Sequence, residues 1–164
     1  MNKLQLDFFK RPTEIVAEEL IGKIMMIHGK SCLVTETEAY KGDEDPASHA
    51  FKGPTERSAI MFGPCARLYI YLIYGMYHCM NIVAHEKDQA GAVLIRGLQL
   101  PSIHLNGPGK ICKYFQIDRQ LNHYDICQSD DIYIISYETP LEVIATPRIG
   151  IKKGHDKLWR FIQT

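Results

Sequence analysis

Two carboxylates and a phenol alternate along Glu36-Thr37-Glu38-Ala39-Tyr40. If this stretch is extended, all three side chains point to one face, opposite Leu33, Thr35, Thr37 and Ala39. The neighbouring residues have the character of a core strand, and a carboxylate buried there is costly unless it has a partner or a task. The segment therefore reads either as a solvated sheet face or as a strand presenting a general base. His49, in Asp45-Pro46-Ala47-Ser48-His49, reads on its own as a solvated loop histidine. Asn81 on its own reads as a polar residue capping a strand end.

Tyrosine is concentrated in Leu68-Tyr69-Ile70-Tyr71-Leu72-Ile73-Tyr74-Gly75-Met76-Tyr77, which carries four of the chain's nine tyrosines. Alternation puts Tyr69 and Tyr71 on the same face, where they can belong to a β-rich core whose phenols find hydrogen bonds. Tyr74 and Met76 fit that reading poorly. They fall at the tip of a predicted hairpin, where a large side chain is hard to bury and has the form of a wedge that enters between base pairs. The five cysteines (Cys32, Cys65, Cys79, Cys112, Cys127) are odd in number and contain no C-x-x-C pair. That pattern argues for reduced thiols, against both a disulfide framework and a zinc site.

The elements that must carry these residues can be read from period and turn chemistry. Pro12-Thr13 with Ile15, Val16 and Leu20 predicts a short helix capped by Thr13 and stopped by Gly22. Strands are predicted over 23–28 and 32–40 around Gly29-Lys30, over 66–74 and 77–84 around Gly75-Met76, and over 92–98, 132–136 and 141–146. Between them, 41–64 is rich in Gly, Pro and charge and predicts a long loop with one helical turn, a length usually associated with function or mobility. Gly107-Pro108-Gly109-Lys110 opens a predicted helix through Ile111, Cys112 and Phe115, and its first amides could hold a phosphate. The fold class is a single α+β domain: a curved antiparallel sheet with a protruding hairpin and a few flanking helices.

Composition narrows the classes without choosing among them. The chain has 164 residues, 46% hydrophobic and 23% charged, enough for one core and typical of a globular protein. No apolar run reaches the roughly 18 residues of a membrane span, and the start lacks a signal peptide's apolar stretch, so an intracellular protein is expected. The 19 basic and 19 acidic residues cancel. Any nucleic-acid surface would have to come from local clustering.

Taken together, these segments resemble the alkyladenine (methylpurine) DNA glycosylase family. The resemblance runs through Thr37-Glu38-Ala39-Tyr40, His49, Met61-Phe62, the tyrosine-rich hairpin continued by His78-Cys79-Met80-Asn81, and Ala92-Val93-Leu94-Ile95-Arg96. It continues through Gly107-Pro108-Gly109-Lys110-Ile111-Cys112, Arg148-Ile149-Gly150 and Trp159-Arg160-Phe161, so it covers nearly the whole chain. An ordered set of this kind is far more specific than any one short motif.

The resemblance implies base-excision repair: a damaged purine (alkylated purine, hypoxanthine or ethenoadenine) leaves duplex DNA and its N-glycosidic bond is hydrolysed. By position, Glu38 resembles the general base, and Arg96 and the backbone carbonyl of Ile149 the groups that help place the water. Tyr40 and His49 resemble one wall of the base pocket, Tyr71 the other, and Asn81 the side chain that excludes a guanine 2-amino group. Tyr74 resembles the intercalating residue, flanked by Met76 and Tyr77, while Thr55, Arg57, Lys110 and Gly150 fall on the DNA-facing side. No lysine falls among the matched site positions, so a monofunctional enzyme without strand cleavage is implied. No metal or cofactor is required, and the implied partner is double-stranded DNA bound by a monomer. Glu56 departs from the pattern by placing negative charge where phosphate is expected, and the stretch between Gly150 and Arg160 is shorter than in some relatives. A noncatalytic damaged-DNA module and a nucleoside hydrolase are the alternatives.

Overall fold

In the computed structural model, which describes residues 2–138 and 141–164, helices α1 (Leu6–Phe9) and α2 (Thr13–Leu20) precede the first hairpin, β1 (Ile24–Ile27) and β2 (Lys30–Tyr40). Strands β3 (Leu68–Ile73), β4 (Tyr77–Val83), β5 (Ala92–Gln99) and β6 (His104–Asn106) follow, then helix α3 (Pro108–Phe115) and strands β7 (Ile132–Ile135), β8 (Val143–Thr146) and β9 (Arg160–Gln163). The strands form one curled antiparallel sheet in the order β3-β4-β5-β2-β1-β7, with β6 on β5 and β9 joining β2 to β8. This is the α+β architecture expected, although α1, β6 and β9 had no sequence signal: each is three or four residues long, and β9 owes its form to pairing with the distant β2.

Position β2 matters most. Leu33 pairs with Gln99 and Tyr40 with Ala92, but the register is irregular between Val34, Glu36 and Thr37. The core side chains of β2 are accordingly Cys32 and Val34, then Thr37 and Ala39; those of β5 are Val93 and Ile95, then Leu98, with Leu100 just beyond the strand. Both strands skip a beat at the bulge, as bulges do when they re-aim a strand. The simple alternation that put Leu33 and Thr35 on the core face is thus corrected. Beyond the bulge the edge of β2 that had carried β1 receives β9, with Thr37 opposite Phe161 and Glu38 opposite Arg160.

One face of the sheet is covered by the helices. Val16, Ala17 and Leu20 of α2 and Ile111, Cys112 and Phe115 of α3 join Leu68, Ile70, Met80, Ile82, Val93 and Ile95 in the main core. The Thr13 hydroxyl, expected to cap α2, instead donates across to the Ala84 carbonyl at 2.7 Å, and Thr37 donates to Ala17 O at 2.7 Å. On the opposite face a smaller cluster of Ala50, Met61, Tyr69, Val83, Ala90 and Ala92 seats the long loop after β2, whose one helical turn is the 3-10 turn Ala59–Phe62. The remainder of that face is open, and the site lies there.

The hairpin between β3 and β4 turns on Tyr74 and Gly75, at φ 54° and 65°, with the Met76 amide donating to Ile73 O at 3.0 Å. Three residues separate the paired Ile73 and Tyr77, and a turn whose two central residues both have positive φ matches the twist of the flanking strands, whereas Met76 at the centre would need positive φ itself. The tip is therefore one residue earlier than Gly75-Met76. Tyrosine in that conformation costs roughly 1–2 kcal/mol.

Candidate active site

A single row of paired residues crosses four strands on the open face: Glu38 of β2 opposite Leu94 of β5, Leu94 opposite Asn81 of β4, and Asn81 opposite Tyr69 of β3. Paired residues share a face, so the sheet itself brings residues 38, 69, 81 and 94 together. All four line a cavity of about 590 Å³, as do Tyr40, His49, Tyr71 and Arg96.

Glu38 is fully buried. Its Oε1 accepts the Tyr40 hydroxyl at 2.8 Å and its Oε2 the Ile149 amide at 2.7 Å. Arg96 Nη1 lies 3.7 Å from Oε1. Burial raises the carboxyl's pKa, and this outweighs the opposing pull of Arg96, the Ile149 N–H and the Tyr40 hydroxyl. Each oxygen has one protein donor and can accept another proton donor. Arg96 is itself held from outside the cavity: Glu36 Oε2 accepts Arg96 Nε at 3.0 Å and Arg160 Nε at 2.7 Å. The two acidic residues of β2 therefore differ in kind, Glu36 anchoring two arginines and Glu38 facing the cavity.

The aromatic walls are well tied. His49 Nδ1 is 3.0 Å from the Tyr69 hydroxyl, and its ring meets Tyr71 edge-on with centroids 4.6 Å apart. Desolvation, then the nearby Arg57, lower the His49 pKa to about 4, so the ring is neutral at pH 7. Burial raises the Tyr40 and Tyr71 phenols, which stay protonated. Asn81 is buried at the cavity floor, its Nδ2 donating to Tyr69 O at 3.1 Å and Cys79 O at 3.4 Å.

The hairpin stands at the cavity edge. Tyr74 is 88% exposed, and Met76 and Tyr77 beside it are also exposed. The Tyr77 ring lies so close to Gly109 of α3 that a Cβ there would sit 3.1 Å from Cδ1, so a larger residue would push the ring aside. The remaining expected contact residues are differently placed. Thr55 is engaged in reciprocal bonds with Ser58 that shape its loop, and the Arg57 guanidinium lies 5.2 Å over the Tyr71 ring, behind the wall. Lys110 Nζ donates to Asn106 Oδ1 at 2.7 Å on the exposed start of α3. Ile149 and Gly150 both line the cavity, and the contact Ile149 makes to Glu38 is through its N–H.

Several lining residues were not anticipated. Lys52, Lys152 and Lys153 sit at the cavity mouth and Cys79 within it, its thiol raised by burial to about 11. The lysines lie on irregular segments without periodic signal, and only the fold closes those segments over the sheet. Among the described residues no group of three or more His, Cys, Asp and Glu could hold a metal ion, and no helix is long and apolar enough to cross a membrane.

A buried carboxylate flanked by a guanidinium can hold and deprotonate a water, while the tyrosines and a neutral imidazole can hold a flat ring by stacking. With an exposed aromatic at the rim, this combination fits the class of hydrolases that release a base from a nucleoside or a nucleic acid. The family model for methylpurine-DNA glycosylase (MPG) matches residues 7–164, and the chain belongs to that family. Among curated relatives, proteins named "Putative 3-methyladenine DNA glycosylase" from Rickettsia felis and Sodalis glossinidius are 46% and 48% identical. The matches cover 100% of this chain and 96% of the first relative, and 96% and 95% for the second. A Rickettsia prowazekii protein of the same name is 37% identical over 100% of this chain and 97% of its own length.

Proposed function

We propose that this protein is a monofunctional DNA glycosylase that hydrolyses the N-glycosidic bond of damaged purines, namely alkylated purines, hypoxanthine and ethenoadenine, flipped out of duplex DNA. The observation that carries the reading is the buried Glu38 at the head of an aromatic cavity, with Arg96 3.7 Å away. In the proposed step Glu38 takes a proton from water as the oxygen attacks C1′ of the sugar. The C1′–N bond breaks, its electron pair leaves with the purine, and an abasic site remains. Arg96 and the Ile149 carbonyl orient the water, supplying proximity.

The purine stacks between Tyr71 on one side and Tyr40 and His49 on the other, and neutral aromatic faces tolerate several lesions. Asn81 at the floor excludes the guanine 2-amino group. Tyr74 fills the gap the nucleotide leaves, Met76 and Tyr77 flank it, and Thr55, Arg57, Lys110 and Gly150 belong to the DNA-facing surface. The enzyme acts as a monomer on intracellular DNA. Lys52, Lys152 and Lys153 line the cavity as well; in this reading their amines face phosphates and form no imine with the sugar.

Base release from a lesion duplex, from a lesion single strand and from the free nucleoside tests this. Release from duplex without borohydride-trapped covalent complex is expected. Preference for the nucleoside would make the protein a nucleoside hydrolase, and tight lesion binding without release a noncatalytic recognition module.

A further inference from the structure

Behind the cavity wall lies an ion pair that does not line it. Asp45 and Arg148 have wholly buried side chains, joined in two bonds: Nη1 to Oδ2 at 2.6 Å and Nη2 to Oδ1 at 2.8 Å. Asp45 also accepts the amides of Lys41 at 2.9 Å and Ala47 at 3.1 Å, which folds the start of the long loop around it. Arg148 Nη1 reaches in addition to the Ala39 carbonyl at 2.9 Å, between Glu38 and Tyr40. Its guanidinium lies 4.8 Å from the centroid of the Tyr40 ring and 5.2 Å from that of Trp159.

These bonds converge on three segments that furnish the cavity. Arg148 immediately precedes Ile149, whose N–H holds Glu38. Ala39 separates Glu38 from Tyr40, and the turn around Asp45 leads to Ala47 and His49 at the wall. A buried ion pair is poor value as a source of net stability, because apolar residues of similar volume often do as well. What it does well is fix geometry, since a bidentate carboxylate–guanidinium contact tolerates little displacement.

Resting on the glycosylase reading, we propose that Asp45 and Arg148 are a positioning pair for base excision, setting the Ile149 amide, the Tyr40 ring and the His49 segment around Glu38. Neither residue touches the substrate. When the pair is loosened, the Ile149 N–H drifts from Oε2 and Glu38 loses one of the contacts that favour its ionised form. The other groups facing Glu38 are Arg96 from β5, Glu36 and Tyr40 from β2, Tyr71 from β3 and Cys79 from β4, and the substitutions below leave all of them in place.

The test uses Asp45→Asn, nearly isosteric, and Arg148→Lys, which keeps the charge but cannot bridge Asp45 and Ala39 in the same way. Gly154→Ala is a third variant. It keeps both charged groups, and its Cβ would come 2.8 Å from Arg148 Nη2. Folding is checked by thermal melting, and the Glu38 carboxyl is titrated by 13C NMR, its signal assigned by its loss in Glu38→Gln. In the folded variants the titration midpoint is expected to move up by about half a pH unit or more. Single-turnover base release should fall about tenfold or more, with duplex binding within threefold of the parent. Folded variants with the parental Glu38 midpoint would overturn the proposal whatever their rate. A parent that releases no base overturns the glycosylase reading instead, and the carboxyl titration still shows whether the pair governs Glu38.

Discussion

At the scale of single residues, the proposed chemistry turns on how Glu38 is kept both buried and usable. Desolvation pushes its carboxyl above the ordinary carboxylate range, while Arg96, the Ile149 N–H and the Tyr40 hydroxyl hold it down. A base must be ionised to act, so base release should fall as pH drops through this raised pKa and should be complete above it. Glu38→Gln keeps the shape but cannot accept the water's proton. It is expected to retain lesion-duplex binding while single-turnover release falls about 10²- to 10⁴-fold, with the acidic limb of the pH profile abolished. Release within tenfold of the parent would remove Glu38 as the base. Glu36, two residues away, does not share this role, because both its close partners are arginines whose positions it holds.

At the scale of elements, the β3–β4 hairpin places an exposed tyrosine in a backbone conformation that tyrosine does not favour. A folding argument alone would put glycine or asparagine at this position. Tyr74→Gly should therefore leave the melting temperature equal or slightly higher, by up to about 1 kcal/mol of stability, since it relieves the left-handed strain. If Tyr74 is the proposed wedge, the same change slows release from duplex DNA, where the ring would replace lost stacking, and affects a lesion in single-stranded DNA much less. Equal losses on both substrates would move Tyr74 from wedge to pocket or fold. A clear drop in melting temperature would show that the ring packs against the protein.

For the whole molecule, zero net charge does not preclude a cationic surface. Lys52, Lys152 and Lys153 come together at the cavity mouth from segments about a hundred residues apart in sequence, and Lys110 stands at the start of α3. Phosphate contacts release counterions, so lesion-duplex affinity should weaken as salt rises, with a slope of roughly −0.9 per phosphate contact. Lys110→Ala and Lys153→Ala are each expected to lower that slope by roughly 0.9, measured by fluorescence anisotropy over a range of salt concentrations. A slope unchanged by either substitution would show that the ammonium concerned faces solvent and not phosphate.

Local chemistry was enough to read β1 to β5, β7, β8, α2, α3 and the hairpin from the sequence, because alternation, glycine turns and proline at a helix start act over a few residues. The identities of Glu38, Tyr40, His49, Tyr71, Asn81, Tyr74 and Arg96 as candidates were legible too, through the ordered motifs. Their grouping was not: Glu36 and Glu38 look alike in an alternating strand, and only the bulge, the arrival of β9 and the two arginines separate the carboxylate that anchors arginines from the one that faces the cavity. The turn residue, the lysine mouth and the Asp45–Arg148 pair depend on backbone twist and on contacts about a hundred residues apart in sequence. No local pattern encodes such contacts, since their energy is realised only when distant segments are brought together and water is excluded between them.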